Sequence, residues 1–218
     1  MSFETVRQQM IQQQLRTWDV LDTAVLEIFD RLPRETFVPP NYADVAYADT
    51  QIPLGSGNFM LTPKIAGRIL QAVRPRAGER VLEIGTGSGY LTAALAANGS
   101  DVRSLERRAD LATRAAATLA ALSIGNARIE HRDAYSPEAL GSGVHDVIVL
   151  TASLPCDDER FERQLAIGGR LFAVVGRAPV MTAMLVERIG ERDFRRTELF
   201  ETQLEPLVGA NGPAGFEF

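Results

Sequence analysis

The stretch that decides the fold is Val81-Leu82-Glu83-Ile84-Gly85-Thr86-Gly87-Ser88-Gly89-Tyr90. An apolar, strand-like run ends in three alternating glycines, and an alanine- and leucine-rich helical pattern follows directly. Glycine lets the backbone approach a ligand closely, and a helix N-terminus presents unpaired N–H groups. Strand, glycine turn and helix in succession therefore predict a nucleotide-type site.

The spacing of the glycines indicates which nucleotide would bind. A dinucleotide fingerprint needs its third glycine at position 90, where this chain has Tyr90. Glu83 lies two residues before the first glycine, and a carboxylate there would repel a pyrophosphate. S-adenosylmethionine has no phosphate and carries an ammonium and a sulfonium, which a carboxylate attracts. The turn therefore favours S-adenosylmethionine over NAD.

A second acidic residue supports the same ligand. Glu106 ends the next strand-like run and lies 21 residues beyond Gly85. That is about the distance that places a carboxylate on the ribose hydroxyls of a nucleotide bound to a βαβ unit. We therefore expect Glu106 to bind the ribose.

From Arg80 onward, strand and helix patterns alternate, which is typical of a parallel sheet covered on both faces. Strands are predicted at 80–84, 102–106, 127–131, 146–150 and 170–175, and an antiparallel hairpin at 182–189 and 194–205. The predicted fold class is α/β. We expect a Rossmann-like, doubly wound, mostly parallel seven-stranded sheet with a C-terminal antiparallel hairpin and an N-terminal helical extension.

The first 75 residues predict helices and a long loop. The first helix would bury Phe3, Val6, Met10, Ile11, Leu15 and Trp18, which recur at steps of three and four. Residues 34–59 contain many prolines and glycines and predict an ordered loop beside a site. Thr62 and Pro63 would then begin another helix, at the N-cap and first helical positions.

Length and composition limit the possible functions. The chain has 218 residues and predicts a single domain, with a helical and loop lobe at 1–75 and a cofactor-binding core at 76–218. Its net charge of −5 disfavours a nucleic-acid partner. No apolar run approaches a membrane span, so the expected location is the cytoplasm. The single cysteine excludes an internal disulfide, and no spacing predicts a metal site.

Several stretches of the chain resemble known families. Residues 81–90 resemble the first motif of class I S-adenosylmethionine-dependent methyltransferases. Residues 33–39, 46–49, 53–57, 145–153 and 168–171 are similar to the protein-L-isoaspartate (D-aspartate) O-methyltransferase family. The similarity extends from about residue 31 to residue 207. It implies methyl transfer to the carboxylate of isoaspartyl residues in damaged proteins or peptides.

The resemblance also implies roles for individual residues. Asp133 and Ala134 would hold the adenine, and Thr151 would lie beside the transferred methyl group. The expected S-adenosyl-L-methionine-binding residues are Glu83, Gly85, Thr86, Gly87, Ser88, Gly89, Tyr90, Glu106, Arg107, Asp133, Ala134 and Thr151.

The acceptor loop, residues 58–62, departs from the family pattern. Family members resemble Gln-Thr-Ile-Ser here, with hydroxyls facing the substrate carboxylate, whereas this chain has Phe59 and Leu61 at the two hydroxyl positions. Desolvating an anion without partners costs several kcal/mol. Thr62 could replace the missing hydroxyl, although an N-cap role would compete for it. The expected substrate-binding residues are Gly57, Asn58, Phe59 and Met60, and the expected catalytic positions are Leu61 and Thr62.

Methyl transfer to a carboxylate needs positioning more than acid–base chemistry, because a carboxyl with a pKa of about 4 is already ionised at pH 7. Three hypotheses stay open: an isoaspartyl methyltransferase with an altered loop, a methyltransferase for a less polar acceptor, and a cofactor-binding protein without transferase activity. The expected partner is a protein or peptide acceptor, with no nucleic acid or membrane, and the chain would be a monomer or weak homodimer.

Overall fold

The computed structural model describes residues 2–210. Its α-helices are α1 (Phe3–Met10), α2 (Thr23–Arg31), α3 (Pro63–Val73), α4 (Tyr90–Ala96), α5 (Ala109–Ala121) and α6 (Glu159–Glu162). Its strands are β1 (Ile52–Gly55), β2 (Asn58–Met60), β3 (Arg80–Ile84), β4 (Asp101–Glu106), β5 (Ala127–His131), β6 (His145–Leu154), β7 (Leu165–Arg177), β8 (Val180–Arg188) and β9 (Phe194–Glu201).

Seven strands form one sheet in the order β5-β4-β3-β6-β7-β8-β9. The pairs β5–β4, β4–β3, β3–β6 and β6–β7 are parallel, and β8 and β9 are added antiparallel. The predicted sheet and its C-terminal hairpin are therefore confirmed. β4 lies on one side of β3 and β6 lies on the other. The strand order therefore reverses direction at β3, which is the topological switch point of the sheet. In open α/β sheets, ligands bind at the carboxyl ends of the strands at such a point.

The last strand ends earlier than predicted. β9 stops at Glu201 because the following residues turn back to β6. The Ser153 N–H donates to the Glu205 carbonyl at 2.8 Å, and the Leu207 N–H donates to the Ser153 carbonyl at 2.8 Å. This return segment forms one wall of the crevice described below.

The N-terminal helix differs from the prediction at both ends. After α1, the chain forms a π-helical turn at Ile11–Leu15 and a 3₁₀ turn at Arg16–Trp18. A π turn shifts the helical phase, so Trp18 leaves the apolar face and is 36% exposed. Phe3 is 42% exposed and packs only beside the ring of Tyr47. The central positions are buried as predicted: Met10, Ile11 and Leu15.

The predicted loop at 34–59 is more regular than expected. It contains 3₁₀ turns at Arg34–Phe37 and Pro40–Val45 and the antiparallel hairpin β1–β2. The strands form because Ile52 and Leu54 alternate into the core, while the glycines fall in the turn at positive φ. Buried residues of this region share one apolar cluster with those of β3, β6 and β7. The division at residue 75 stays a prediction.

Within residues 2–210, no helix has the length and apolar character needed to cross a membrane.

Candidate active site

The carboxyl ends of β3, β4 and β6 border a crevice of about 1280 Å³, its open mouth included. It is lined by the glycine turn, residues 106–108, 132–134 and 204–208, part of β6, and the β1–β2 hairpin. A narrower inner cavity, with about 380 Å³ of empty space when its solvent-open part is included, adjoins the crevice beneath the acceptor loop. The two spaces are neighbours, since both are lined by Phe59, Leu61, Gly85, Gly87 and Thr151.

The glycine turn (residues 85–89) brings three elements together. All three of its glycines have positive φ, at 95°, 56° and 84°. A Cβ on Gly85 would lie 2.2 Å from Thr151 Oγ1, and one on Gly89 would lie 3.0 Å from the Ala115 Cβ. Gly85 therefore allows the turn to contact β6, and Gly89 allows α4 to pack closely on α5.

Thr151 fixes the turn from β6. Its hydroxyl donates to the carbonyl oxygens of Ile84 and Gly85 at 3.0 and 2.7 Å. The same residue lines both the crevice and the inner cavity. Thr151 therefore lies where the two spaces meet, and its expected place beside the transferred methyl group stays a prediction.

Glu106 fixes the turn from β4. One carboxylate oxygen accepts from the Gly87 N–H and the other from the Arg108 N–H, each at 2.9 Å. The side chain lines the crevice although it is only 6% exposed. Each oxygen keeps acceptor capacity beyond its backbone bond. The carboxylate is therefore held ready for two hydroxyl donors.

The sequence predicts Glu83 at the ligand, but its side chain does not line the crevice. It is completely buried between the sheet and α4 and lines neither the crevice nor the inner cavity. One carboxylate oxygen accepts from the hydroxyls of Thr92 and Ser104 at 2.5 and 2.6 Å. Side chains alternate between the two faces of a strand. Glu83 is paired with Ser104 of β4, and this register points its side chain beneath the glycine turn.

The other expected cofactor residues form two groups. Arg107, Asp133 and Ala134 line the crevice, where Arg107 Nε and Asp133 Oδ2 form an ion pair at 3.2 Å. The remaining turn residues line the inner cavity: Thr86, Ser88 and Tyr90.

The acceptor loop forms an apolar wall. Phe59 and Leu61 line both spaces, Met60 lines the inner cavity, and Gly57 and Asn58 line the crevice. The Asn58 amide donates to the carbonyl groups of residues 55 and 56 within its own turn, at 3.2 Å each. The loop side chains therefore offer the crevice little polar contact.

Thr62 occupies the N-cap position of α3, but its hydroxyl makes no capping bond. Its Oγ1 is buried and has no hydrogen-bond partner among residues 2–210. The competition expected from the sequence, between capping and substrate contact, is therefore absent.

Sequence reasoning did not single out Arg34. This side chain is completely buried and lines the inner cavity beside Tyr90. The sequence does contain a signal for this residue. Arg34 follows the helix-ending Pro33 and begins the loop that is predicted to line a site. In the part of the chain that the structure describes, no group of three or more His, Cys, Asp or Glu could hold a metal ion.

The model of the family "Protein-L-isoaspartate(D-aspartate) O-methyltransferase" matches residues 5–212. The chain belongs to this family. Protein-L-isoaspartate O-methyltransferase 1 of Rhodopseudomonas palustris (strain HaA2) is 39% identical over 213 residues, covering 97% of this chain and 86% of that protein. Protein-L-isoaspartate O-methyltransferase of Methylorubrum populi is 37% identical over 213 residues, covering 97% of this chain and 99% of that protein.

The fold of this family member also resembles solved structures. A Plasmodium falciparum protein assigned as a protein-L-isoaspartate O-methyltransferase, crystallised with S-adenosyl-L-homocysteine, superposes with a TM-score of 0.79 at 21% identity. The match covers 95% of this chain and 98% of that one. At this identity the likeness supports a shared fold.

Glu83→Gln should flatten the pH dependence of stability. Burial raises the pKa of Glu83 to about 7, whereas an unfolded glutamate has a pKa of about 4.3. Because the folded pKa is raised, the stabilisation is complete below the unfolded pKa and is lost as the pH rises through the folded one. Glutamine cannot ionise, so the free energy of unfolding should fall less between pH 5 and pH 8 in the variant.

Urea unfolding at the two pH values measures this effect. The exposed Glu198→Gln provides the matched control, since its pH curve should follow that of the parent. Parallel curves for the parent and Glu83→Gln would contradict the prediction.

Proposed function

We propose that this chain is an S-adenosylmethionine-dependent O-methyltransferase that methylates the carboxylate of isoaspartyl or D-aspartyl residues in damaged proteins or peptides. The observation that carries the proposal is coverage, because relatives named for this reaction match 97% of the chain. The match therefore includes both the cofactor crevice and the acceptor loop.

The residues of the crevice fit S-adenosylmethionine. Glu106 would accept hydrogen bonds from the ribose hydroxyls, since its carboxylate is already held by two backbone N–H groups. Asp133 and Ala134 would contact the adenine, and Thr86, Gly87, Ser88 and Thr151 would surround the methionine part. The bound cofactor supplies an activated methyl group on a sulfonium.

The chain's own contribution is orientation and exclusion of water. The acceptor carboxylate needs no base, because it is ionised at neutral pH. Phe59, Met60 and Leu61 would cover the reacting oxygen with apolar surface, which removes water from around it. The rigid turn would hold the cofactor so that the oxygen approaches the methyl carbon opposite the sulfur.

A radiolabelled methyl-transfer assay on an isoaspartyl peptide and the matched aspartyl peptide tests the proposed function. We expect label on the isoaspartyl peptide alone. Cofactor binding without transfer to either peptide would instead favour a less polar acceptor or a binding protein without transferase activity. Transfer to both peptides alike would contradict isoaspartyl specificity.

Glu106→Gln should weaken cofactor binding. It keeps the side-chain volume but removes the charge and one acceptor, and hydrogen bonds to charged groups contribute roughly 1.5–3 kcal/mol. Calorimetry with S-adenosylhomocysteine measures the loss. Asp101→Asn is the control, because Asp101 is an exposed acid at the opposite end of the same strand. Equal affinities for Glu106→Gln and the parent would show that the carboxylate is only structural.

Leu61→Ser should raise kcat/KM on isoaspartyl peptides. A hydroxyl at this position would add a donor for a buried carboxylate oxygen, which contributes roughly 1–3 kcal/mol. Leu207→Ser places the same change on the opposite wall of the crevice and should not increase the rate. Steady-state kinetics on the isoaspartyl peptide measures kcat/KM for the parent and both variants. If Leu61→Ser does not raise kcat/KM, the acceptor loop does not determine the specificity.

A further inference from the structure

The inner cavity contains a buried cation that the proposed reaction does not use. Arg34 lies directly after Pro33, in the 3₁₀ turn that follows α2. Its side chain is completely buried, yet it lines the cavity together with Leu61, Tyr90 and part of the glycine turn. The cation therefore borders a space that is also lined by the glycine turn and the acceptor loop.

Backbone carbonyls hold one side of the guanidinium. Arg34 Nε donates to the Ala46 carbonyl at 2.7 Å, and Nη2 donates to the Leu61 carbonyl at 2.6 Å. The guanidinium carbon lies 4.7 Å from the centroid of the Tyr90 ring. Nη1 is buried and has no hydrogen-bond partner among residues 2–210.

The charge of Arg34 has no carboxylate partner within the described part of the chain. Glu35, its neighbour in sequence, interacts with Arg7 and with the Tyr47 hydroxyl instead. Burial lowers the pKa of Arg34 to about 10, so it is still charged at neutral pH. A buried charge without a counter-ion is unfavourable.

The Tyr90 hydroxyl is the second polar group of this kind. It is buried and has no hydrogen-bond partner among residues 2–210. Burial dominates the pKa of both Tyr90 and Arg34, and a charge interaction and a side-chain contact between them add smaller shifts, so the two polar groups lie near one another. A guanidinium N–H and a phenol O–H are both donors that a carboxylate can accept from.

We propose that Arg34 Nη1 and the Tyr90 hydroxyl form a carboxylate-binding site at the inner cavity. The inference rests on the proposed function, which brings two carboxylates to this region: that of the cofactor's methionine part and that of the acceptor. Either would neutralise the buried charge. The site would also provide the polar contact that Phe59 and Leu61 do not.

The test uses two variants and a matched control. Tyr90→Phe removes only the hydroxyl and keeps the aromatic ring against the Arg34 guanidinium. Arg34→Met removes the charge and keeps an apolar chain against the Tyr90 ring. Arg68→Met is the control, because Arg68 also lies over an aromatic ring, at 4.6 Å from the Phe200 centroid, and donates to backbone carbonyls, but outside the cavity.

Calorimetry compares S-adenosylhomocysteine, which has the amino-acid carboxylate of the cofactor, with methylthioadenosine, which lacks the amino-acid part. If the site holds the cofactor's carboxylate, both cavity variants weaken S-adenosylhomocysteine binding about tenfold or more and leave methylthioadenosine binding unchanged. If it holds the acceptor's carboxylate, both affinities are unchanged and the KM for the isoaspartyl peptide rises by a similar factor. The control changes neither quantity.

Unchanged affinities and unchanged KM in folded Tyr90→Phe and Arg34→Met would overturn the inference while leaving the proposed function intact. A parent that neither binds S-adenosylhomocysteine nor methylates the peptide would instead overturn the proposed function. The site is then tested by thermal unfolding in sodium acetate against sodium chloride at equal ionic strength. Acetate should stabilise the parent more than Tyr90→Phe, and equal stabilisation would contradict a carboxylate site.

Discussion

The glycine turn is the constraint on which the rest of the site depends, and it is held from both sides. Glu106, at the end of β4, accepts from the Gly87 N–H, and Thr151, in β6, donates to the Gly85 carbonyl. β3 lies between these two strands, so three parallel strands end at one edge and meet at the turn. A ligand at this edge therefore meets a surface that is already fixed, which reduces the ordering cost of binding.

The acceptor side differs from the glycine turn, because polar contacts lie beneath an apolar surface there. The β1–β2 hairpin presents Phe59 and Leu61, and the Leu61 carbonyl is held from below by Arg34. In the proposed reaction, an apolar cover would exclude water from the reacting oxygen, while a buried cation would give the carboxylate a polar partner. Such a division of roles is consistent with a reaction in which the acceptor is already ionised and needs orientation.

The sequence predicted the features that depend on local patterns, and it did not predict the features that depend on tertiary contacts. Strand periodicity, the alternating glycines and the spacing to Glu106 located the sheet and the turn correctly. The sequence did not predict that Glu83 lies outside the crevice, because the face that a strand residue takes depends on the register with the neighbouring strands. The π turn at Ile11–Leu15 and the hairpin β1–β2 leave no local pattern strong enough to detect. Arg34 was missed because its burial depends on carbonyl groups contributed by residues 46 and 61.

The central claim is that the site delivers a methyl group to an isoaspartyl carboxylate. Tandem mass spectrometry of one peptide that contains isoaspartate, aspartate, glutamate and lysine, after a single turnover with S-adenosylmethionine, tests it most directly. We predict that the methyl group is found as an ester on the isoaspartyl carboxylate and on no other group. A methyl group on the lysine amine, or one shared among the ordinary carboxylates, would contradict it.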